Sequence, residues 1–322
     1  YGEADTFADQ YYGDAGFDIL NYQAVTVDIN FQTGNSFYAG HGSNLWFTVA
    51  GQTQYFQFVE GLVGGQGNDY LKNNHGVAGY MDGYLGNDTI YGHDASDTLL
   101  GGAGEDSLDG GNGDDSMQGG DGNDSLYGAS GNDTQLGGNG NDVMAGSYGN
   151  DYLDGGAGID ALVLWDATQA VTIDLNTSWQ GTLTFSGIGT DTVRNFEGVV
   201  GSNNNHADSI TGTAGNDIIG GGAGVDTLIG GAGVDILSFA WAGIGVVVNL
   251  ATQTVSNDGF NYTDVISGFE HVYGGNAGDS ITGSSVANEL RGNEGNDTLV
   301  GSAGNDTMDG GVGTDLLSYA SE

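Results

Sequence analysis

The chain has 322 residues, of which 64 are Gly, and 43 acidic residues against three basic ones give it a formal net charge of -40. With only Lys72, Arg194 and Arg291 as cations it cannot form a basic groove for nucleic acid, and an anionic membrane surface would repel it. No apolar run approaches the roughly 18 residues of a spanning helix, so we expect no membrane insertion.

The acidic residues are mostly of one kind, because 35 of the 43 are Asp. Asp is favoured where a short carboxylate holds a turn or a hard cation. High charge and abundant Gly also fit a disordered chain. Hydrophobic residues at 38% and aromatic residues at 10%, regularly spaced, argue against that alternative. The composition favours a chain that folds with a cation and is disordered without one.

Residues 1–63 begin with two degenerate copies of a short acidic sequence motif, GEADTF and GDAGFD, and continue as a β-rich segment. Residues 35–58 contain Trp46 and have no counterpart elsewhere in the chain. Aromatic side chains on an exposed strand bind sugars and protein partners. If the chain has a glycan or partner surface, we expect it there.

Residues 64–163 carry the clearest repeat. From Asp88 to Asp160 an Asp recurs at every ninth position, and the residue two places later is apolar in eight of the nine units. Gln135 is the exception. An earlier unit is anchored on Asp69, and a degenerate unit with Ala78 in the Asp place separates it from the others. The repeated phrase is G-G-x-G-x-D-x-U-x, where U is apolar.

Two later blocks repeat the phrase, and longer apolar passages separate the blocks. Residues 160–175 (DALVLWDATQAVTIDL) align with residues 235–250 (DILSFAWAGIGVVVNL). Alternating Val, Thr and Ile in these passages predict strands, and we expect Trp165 and Trp241 to pack in their core. The expected segments are 1–63, worn repeat and β-rich; 64–163, first block; 164–202, connector; 203–238, second block; 239–273, connector; 274–318, third block; and 319–322, the start of a further connector.

The phrase resembles the nonapeptide of the RTX, or haemolysin-type, family of secreted calcium-binding proteins. The resemblance implies an all-β fold, with parallel β-roll or β-helix solenoid blocks that hold calcium in their turns, joined by β-rich segments. It also implies type I secretion and an extracellular or cell-surface location. The chain starts and stops inside its own repeat, so we expect it to be part of a longer protein.

The geometry of the phrase supports this fold independently. Six Gly-rich residues make a tight turn, and x-U-x makes a three-residue strand whose central side chain points inward. Two nonapeptides then form one coil, and coils stack at about 4.8 Å. Each turn therefore lies beside the turn 18 residues away. Asp106 and Asp124 should face one row of ions, and Asp97 and Asp115 the opposite row.

Calcium takes six to eight oxygen ligands from carboxylates and carbonyls, which two stacked turns can provide. Counting stacked pairs in the three blocks gives on the order of a dozen ions. The carboxylates predicted to bind calcium are those of Asp69, Asp88, Asp97, Asp106, Asp115, Asp124, Asp133, Asp142, Asp151, Asp160, Asp208, Asp217, Asp226, Asp235, Asp279, Asp297, Asp306 and Asp315. The backbone carbonyls expected to join them include those of Gly102, Gly104, Gly111, Gly113, Gly120, Gly122, Gly222 and Gly224.

No enzyme motif accompanies the repeats. The sequence lacks H-E-x-x-H, G-x-S-x-G and G-x-x-x-x-G-K. Glu270 and His271 could form an acid–base pair, but the equivalent acids Glu60 and Glu197 have no His beside them, which favours a structural Glu. We expect a non-catalytic extracellular module that is structural, adhesive or self-assembling. The alternatives are the carboxy-terminal part of a type I-secreted protease, lipase or epimerase, and a catalytic β-helix acting on polysaccharide.

Overall fold

The computed structural model describes residues 61–73, 78–175, 189–203 and 205–319, together with the backbone of six further strands, Gln10–Tyr12, Ile19–Asn21, Ile29–Thr33, Asn44–Val49, Gln52–Gln57 and Gln180–Phe185. The side chain of Trp46, proposed for a binding surface, and all of Trp179 lie outside this part of the chain. No helix among the described residues is long and apolar enough to cross a membrane.

The described residues form 34 strands, most of them three or six residues long. The first sixteen are β1 Gln10–Tyr12, β2 Ile19–Asn21, β3 Ile29–Thr33, β4 Asn44–Val49, β5 Gln52–Gln57, β6 Gly61–Val63, β7 Tyr70–Lys72, β8 Tyr80–Leu85, β9 Thr89–Asp94, β10 Thr98–Ala103, β11 Ser107–Asn112, β12 Ser116–Asp121, β13 Ser125–Ser130, β14 Thr134–Asn139, β15 Val143–Ala145 and β16 Tyr152–Ala157. The others are β17 Ala161–Val163, β18 Thr172–Asp174, β19 Gln180–Phe185, β20 Gly189–Arg194, β21 Gly198–Val200, β22 Ser209–Thr211, β23 Ile218–Gly220, β24 Thr227–Ile229, β25 Ile236–Ser238, β26 Val247–Asn249, β27 Thr254–Asn257, β28 Asp264–Ser267, β29 His271–Tyr273, β30 Ser280–Thr282, β31 Glu289–Arg291, β32 Thr298–Val300, β33 Thr307–Asp309 and β34 Leu316–Ser318.

The chain divides into two compact units. The first comprises residues 1–160 and 189–195, and the second comprises residues 161–188 and 196–322. Each unit is a parallel β-solenoid, as the resemblance to the RTX family implies. The boundaries expected for blocks and connectors stay a prediction.

In the first unit, β3, β4 and β5 pair antiparallel, and from β6 to β16 successive strands alternate between two parallel faces. Strands β7, β9, β11, β13 and β15 pair in order on one face, and β6, β8, β10, β12, β14, β16 and β20 pair on the other. Leu108 is paired with Leu126, and Leu99 with Met117. These partners are 18 residues apart, so two nonapeptides form each coil, as the spacing predicts.

The second unit repeats this arrangement. One face is the parallel series β17, β21, β23, β25, β29, β31 and β33. The other contains two parallel series, β18–β22–β24–β28 and β26–β30–β32–β34. The antiparallel strand β27 joins them by pairing with both β26 and β28. The inserted residues therefore return to the stack and do not interrupt it.

The interior of the regular coils is a column of stacked apolar side chains from the U positions of the repeat. Leu99, Leu108, Met117 and Leu126 are each at most 2% exposed. Because most strands contribute one such side chain, the hydrophobic core of the regular coils is narrow, and it grows only by adding coils. Stacking is therefore essential to stability.

Two expectations about apolar residues need correction. Trp165 and Trp241 do not lie in the core, because each is 40% exposed. Their rings meet edge to face, with centroids 5.7 Å apart. Strand-like alternation predicts which side chains point inward only within strands. Both residues lie beyond the end of a strand, Trp165 two residues after β17 and Trp241 three residues after β25.

Gln135 generates a stability prediction. It is fully buried at a U position between Met117 and Leu153. Its Nε2 donates to the carbonyl of Ala145 at 2.8 Å, but its Oε1 accepts no hydrogen bond. An unsatisfied buried polar atom costs about 1–3 kcal/mol. Gln135→Met removes the unsatisfied oxygen but also loses the hydrogen bond to Ala145. We therefore expect a net rise of about 1 kcal/mol in the free energy of unfolding.

The measurement is urea unfolding at saturating calcium. Gln118→Met is the matched control, since Gln118 lies on the exposed side of β12. A lower midpoint for Gln135→Met than for the parent chain would contradict this account of the core.

Candidate metal sites in the turns

The repeat aspartates of the first unit form two continuous rows at the turns. In each row the backbone N–H of one Asp donates to Oδ1 of the Asp one coil later; the bond from Asp106 to Asp124 is 2.8 Å and that from Asp97 to Asp115 is 2.7 Å. One row contains Asp69, Asp88, Asp106, Asp124, Asp142 and Asp160, and the other contains Asp97, Asp115, Asp133 and Asp151. The two expected rows are therefore present as rows of side chains.

The second carboxylate oxygen distinguishes these residues from ordinary turn aspartates. Oδ2 is buried and accepts no hydrogen bond from the protein at Asp88, Asp97, Asp106, Asp115, Asp124, Asp133, Asp142, Asp151, Asp226, Asp235, Asp297 and Asp306. Burying an anionic oxygen without a donor is costly. A cation is the partner that would satisfy a whole row of such oxygens.

The electrostatics of the rows lead to the same conclusion. Burial, together with the like charges of Asp106 and Asp142 on either side, raises the pKa of Asp124 to about 7. Burial also raises the pKa of Asp88 to about 8, again with a contribution from its row neighbours. Without a counter-charge, the ionised rows repel themselves.

The glycine at the start of each turn leaves room beside this oxygen. A Cβ on Gly101 would collide with Asp106 Oδ2 and with the carbonyl oxygen of Gly119, one coil later. The carboxylate of one turn and a carbonyl of the next therefore approach the same small volume. Carboxylate and carbonyl oxygens are the ligands of calcium, so the residues present fit this ion.

The glycines with positive φ allow neighbouring turns to stack closely. Gly104 has φ 139° and Gly122 has φ 136°. A Cβ on Gly122 would collide with the carbonyl oxygen of Gly104. Side chains at these positions would therefore separate the stacked turns and their oxygens.

The predicted residues of the second unit are also brought together in pairs. The N–H of Asp208, Asp217, Asp279 and Asp297 donates to Oδ1 of Asp226, Asp235, Asp297 and Asp315 respectively, and Asn288 donates in the same way to Asp306. Oδ2 is not free at every predicted position. It accepts a backbone N–H at Asp69, Asp208, Asp217 and Asp279, from Gly65, Ser202, Thr213 and Gly275.

Three row members were missed by the sequence analysis. Asp191 accepts the N–H of Asp151 at 3.0 Å, and Asp264 accepts the N–H of Asp226 at 2.9 Å. Glu270 accepts the N–H of Asp235 at 3.0 Å, which gives it the structural role expected. Asp191 and Asp264 are each 4% exposed, and burial raises the pKa of both to about 7. The D-x-U triplets DTV and DVI could have identified these two.

The acidic residues lie in rows and not in clusters. No three or more His, Asp or Glu side chains of the described residues group around a common point suited to a metal ion. A cation here would therefore take its oxygens from stacked turns, with backbone carbonyls completing the set. The ligand set expected from the repeat stays a prediction.

Comparison with known proteins supports the same interpretation. A family model of the RTX calcium-binding nonapeptide repeat matches residues 80–108, 100–135, 136–162, 202–237 and 282–317. These ranges lie in all three repeat blocks. No curated protein matches the chain.

The raised carboxyl pKa values predict how the metal-free chain responds to acid. A folded-state pKa above the unfolded value of 3.8 means that the folded chain binds more protons between 3.8 and about 8. Stability therefore falls as the pH rises through this window. We expect the chelator-treated chain to gain β-sheet circular dichroism as the pH falls from about 8 to about 5. A spectrum that is constant, or loses β signal, over this range would contradict the assignment.

Proposed function

The chain belongs to the family of RTX calcium-binding nonapeptide repeat proteins, and on that premise we propose that it is a non-catalytic extracellular protein that folds on binding calcium. Its role is that of a structural, adhesive or self-assembling surface module. The observation that carries this proposal is the pair of rows of buried aspartates, in which Oδ2 of Asp88, Asp106, Asp124 and Asp142 in one row, and of Asp97, Asp115, Asp133 and Asp151 in the other, accepts no hydrogen bond from the protein.

The residues that hold calcium are the row aspartates, with carbonyl oxygens of the glycine turns. Bound calcium supplies the positive charge that the rows lack. Oδ1 of each Asp meanwhile holds the N–H of the preceding coil, as Asp124 holds Asp106 at 2.8 Å. Ion binding and coil stacking are thus linked through one side chain. On the order of a dozen ions follow from the number of stacked pairs.

This linkage gives calcium control over folding. Binding energy becomes folding energy when the site does not exist in the unfolded chain. In a low-calcium cytosol the chain stays unfolded and passes through a secretion channel, and it folds in the higher calcium outside. Sites with Kd of about 10⁻⁴–10⁻³ M are sufficient for an extracellular module.

A non-catalytic role is supported by how the candidate catalytic groups are used. Glu270 accepts the N–H of Asp235, and Nδ1 of His271 accepts the N–H of Glu289 at 3.0 Å. Both side chains therefore hold neighbouring coils together. The carboxy-terminal part of a secreted enzyme remains the alternative function, and it would place catalysis in a different part of a longer chain.

The proposal predicts unequal effects along a row. Asp124 has a row neighbour on each side, whereas Asp315 is half-buried and bonded only to Asp297. Because Asp124→Ala removes a ligand shared by two stacked pairs, we expect it to raise the calcium midpoint of folding more than Asp315→Ala does. Circular dichroism in a calcium titration measures this midpoint.

Asp121→Ala is the control, since Asp121 lies three residues away and is exposed. Its carboxylate accepts an Asn139 side-chain bond at 2.8 Å and has no place in a row. We expect its midpoint to match that of the parent chain. Equal shifts for Asp124→Ala, Asp315→Ala and Asp121→Ala would reject cooperative binding by stacked turns.

A further inference from the structure

The inserted residues 239–263 of the second unit change one turn of a row. Elsewhere a short glycine turn leads from one strand to the next row aspartate, as in residues 230–235. Here the chain leaves β25, forms β26 and β27, and only then reaches Asp264. The row itself continues, because Asp264 accepts the N–H of Asp226. The residue two places before Asp264 is Tyr262 and not Gly, so the usual glycine turn is missing.

Asp258 is a buried acidic residue within this insertion. It is 1% exposed. Its Oδ1 accepts the N–H groups of Phe260 and Tyr262, at 2.8 and 2.9 Å, and so shapes the turn into β28. Its Oδ2 is buried and accepts no hydrogen bond from the protein. The turn therefore accounts for the burial of Oδ1 but gives Oδ2 no hydrogen-bond partner.

The surroundings of Asp258 include a turn of the row. Asp258 and Gly222 line one cleft of the second unit, beside Trp241. Gly222 belongs to the glycine turn of Asp226, and a Cβ on its neighbour Gly221 would collide with Asp226 Oδ2. That oxygen also accepts no hydrogen bond. Asp226 Oδ2 thus lies beside Gly221, and Asp258 lines the cleft at the next residue of the same turn, Gly222.

The chemistry of these oxygens determines the kind of partner. The carboxylates of Asp264, Asp208 and, to a smaller extent, Asp258 act on Asp226 as like charges. A neutral donor such as a hydroxyl would satisfy one oxygen but would leave two like charges in place. A divalent cation satisfies both oxygens and removes the repulsion.

We propose that Asp258 and Asp226 hold a calcium ion between them, with backbone carbonyls of the 221–224 turn, so that the insertion supplies the carboxylate ligand of a calcium site outside the nonapeptide pattern. The proposal rests on the proposed function and adds a ligand to it. It makes the insertion a metal-binding layer of the solenoid and not a passive loop.

The test is the number of calcium ions bound per chain, measured by elemental analysis after equilibrium dialysis. Asp258→Asn keeps an oxygen that accepts the Phe260 and Tyr262 N–H groups but loses the charge. We expect it to bind one ion fewer than the parent chain. Asp174→Asn, an equal charge change at an exposed position of β18, should bind the parent number. An unchanged number for Asp258→Asn overturns the inference.

Asp226→Asn separates this inference from the proposed function. If Asp226→Asn binds less calcium and Asp258→Asn does not, calcium binding by the rows is supported and the role of Asp258 is rejected. If Asp226→Asn, Asp258→Asn and Asp124→Ala all bind as much calcium as the parent chain, calcium binding by the rows themselves is rejected.

A second measurement does not depend on the folding of Asp258→Asn. Terbium(III) is a hard, oxygen-seeking stand-in for calcium whose emission is sensitised by a nearby indole. Because Trp241 lines the cleft with Asp258, we expect Trp241→Phe to lose part of the tryptophan-sensitised terbium emission of the folded chain. The Trp165 ring meets that of Trp241 edge to face, with centroids 5.7 Å apart, so the double variant Trp165→Phe/Trp241→Phe removes both indoles near the cleft and should lose at least as much emission. Equal emission from the parent chain and both variants overturns the inference.

Discussion

The structure depends on how the two oxygens of each row aspartate are used. Oδ1 accepts a backbone N–H from the coil before it, and this bond fixes the stacking of turns. At twelve row aspartates Oδ2 is buried and accepts no hydrogen bond from the protein, and at Asp106 it lies near a carbonyl of the next coil. The same side chain therefore holds the solenoid together and requires a cation. Ionised carboxylates in such rows repel one another, and a positive partner removes that repulsion.

The composition follows from this requirement. Glycine is needed where Oδ2 approaches a turn, since a Cβ on Gly101 would collide with Asp106 Oδ2. Asp is preferred to Glu because the short side chain reaches a neighbouring backbone N–H and the turn at the same time. The thin core, one U side chain for each strand, leaves little hydrophobic free energy to oppose the repulsion within the rows. On the function we propose, calcium is the component that makes this acidic, glycine-rich chain compact.

The regular part of this architecture could be predicted from the sequence, because a strict nine-residue period fixes both the strand register and the rows. The pairing of Leu108 with Leu126 and the bond from Asp106 to Asp124 follow directly from it. The period is lost in the insertions, so the return of Asp191 and Asp264 to the rows was missed. The exposure of Trp165 and Trp241 was also not predictable from alternation, because both lie beyond the ends of strands.

The most direct test of the central claim is a titration of the chelator-treated chain at neutral pH, followed by far-ultraviolet circular dichroism. Calcium should produce the β signal cooperatively, and magnesium at the same ionic strength should not, because magnesium keeps its waters and is poorly suited to a carbonyl-rich turn. A full β signal in chelator, or an equal response to magnesium, would show that the rows are stable without calcium or need only charge screening, and would contradict the account.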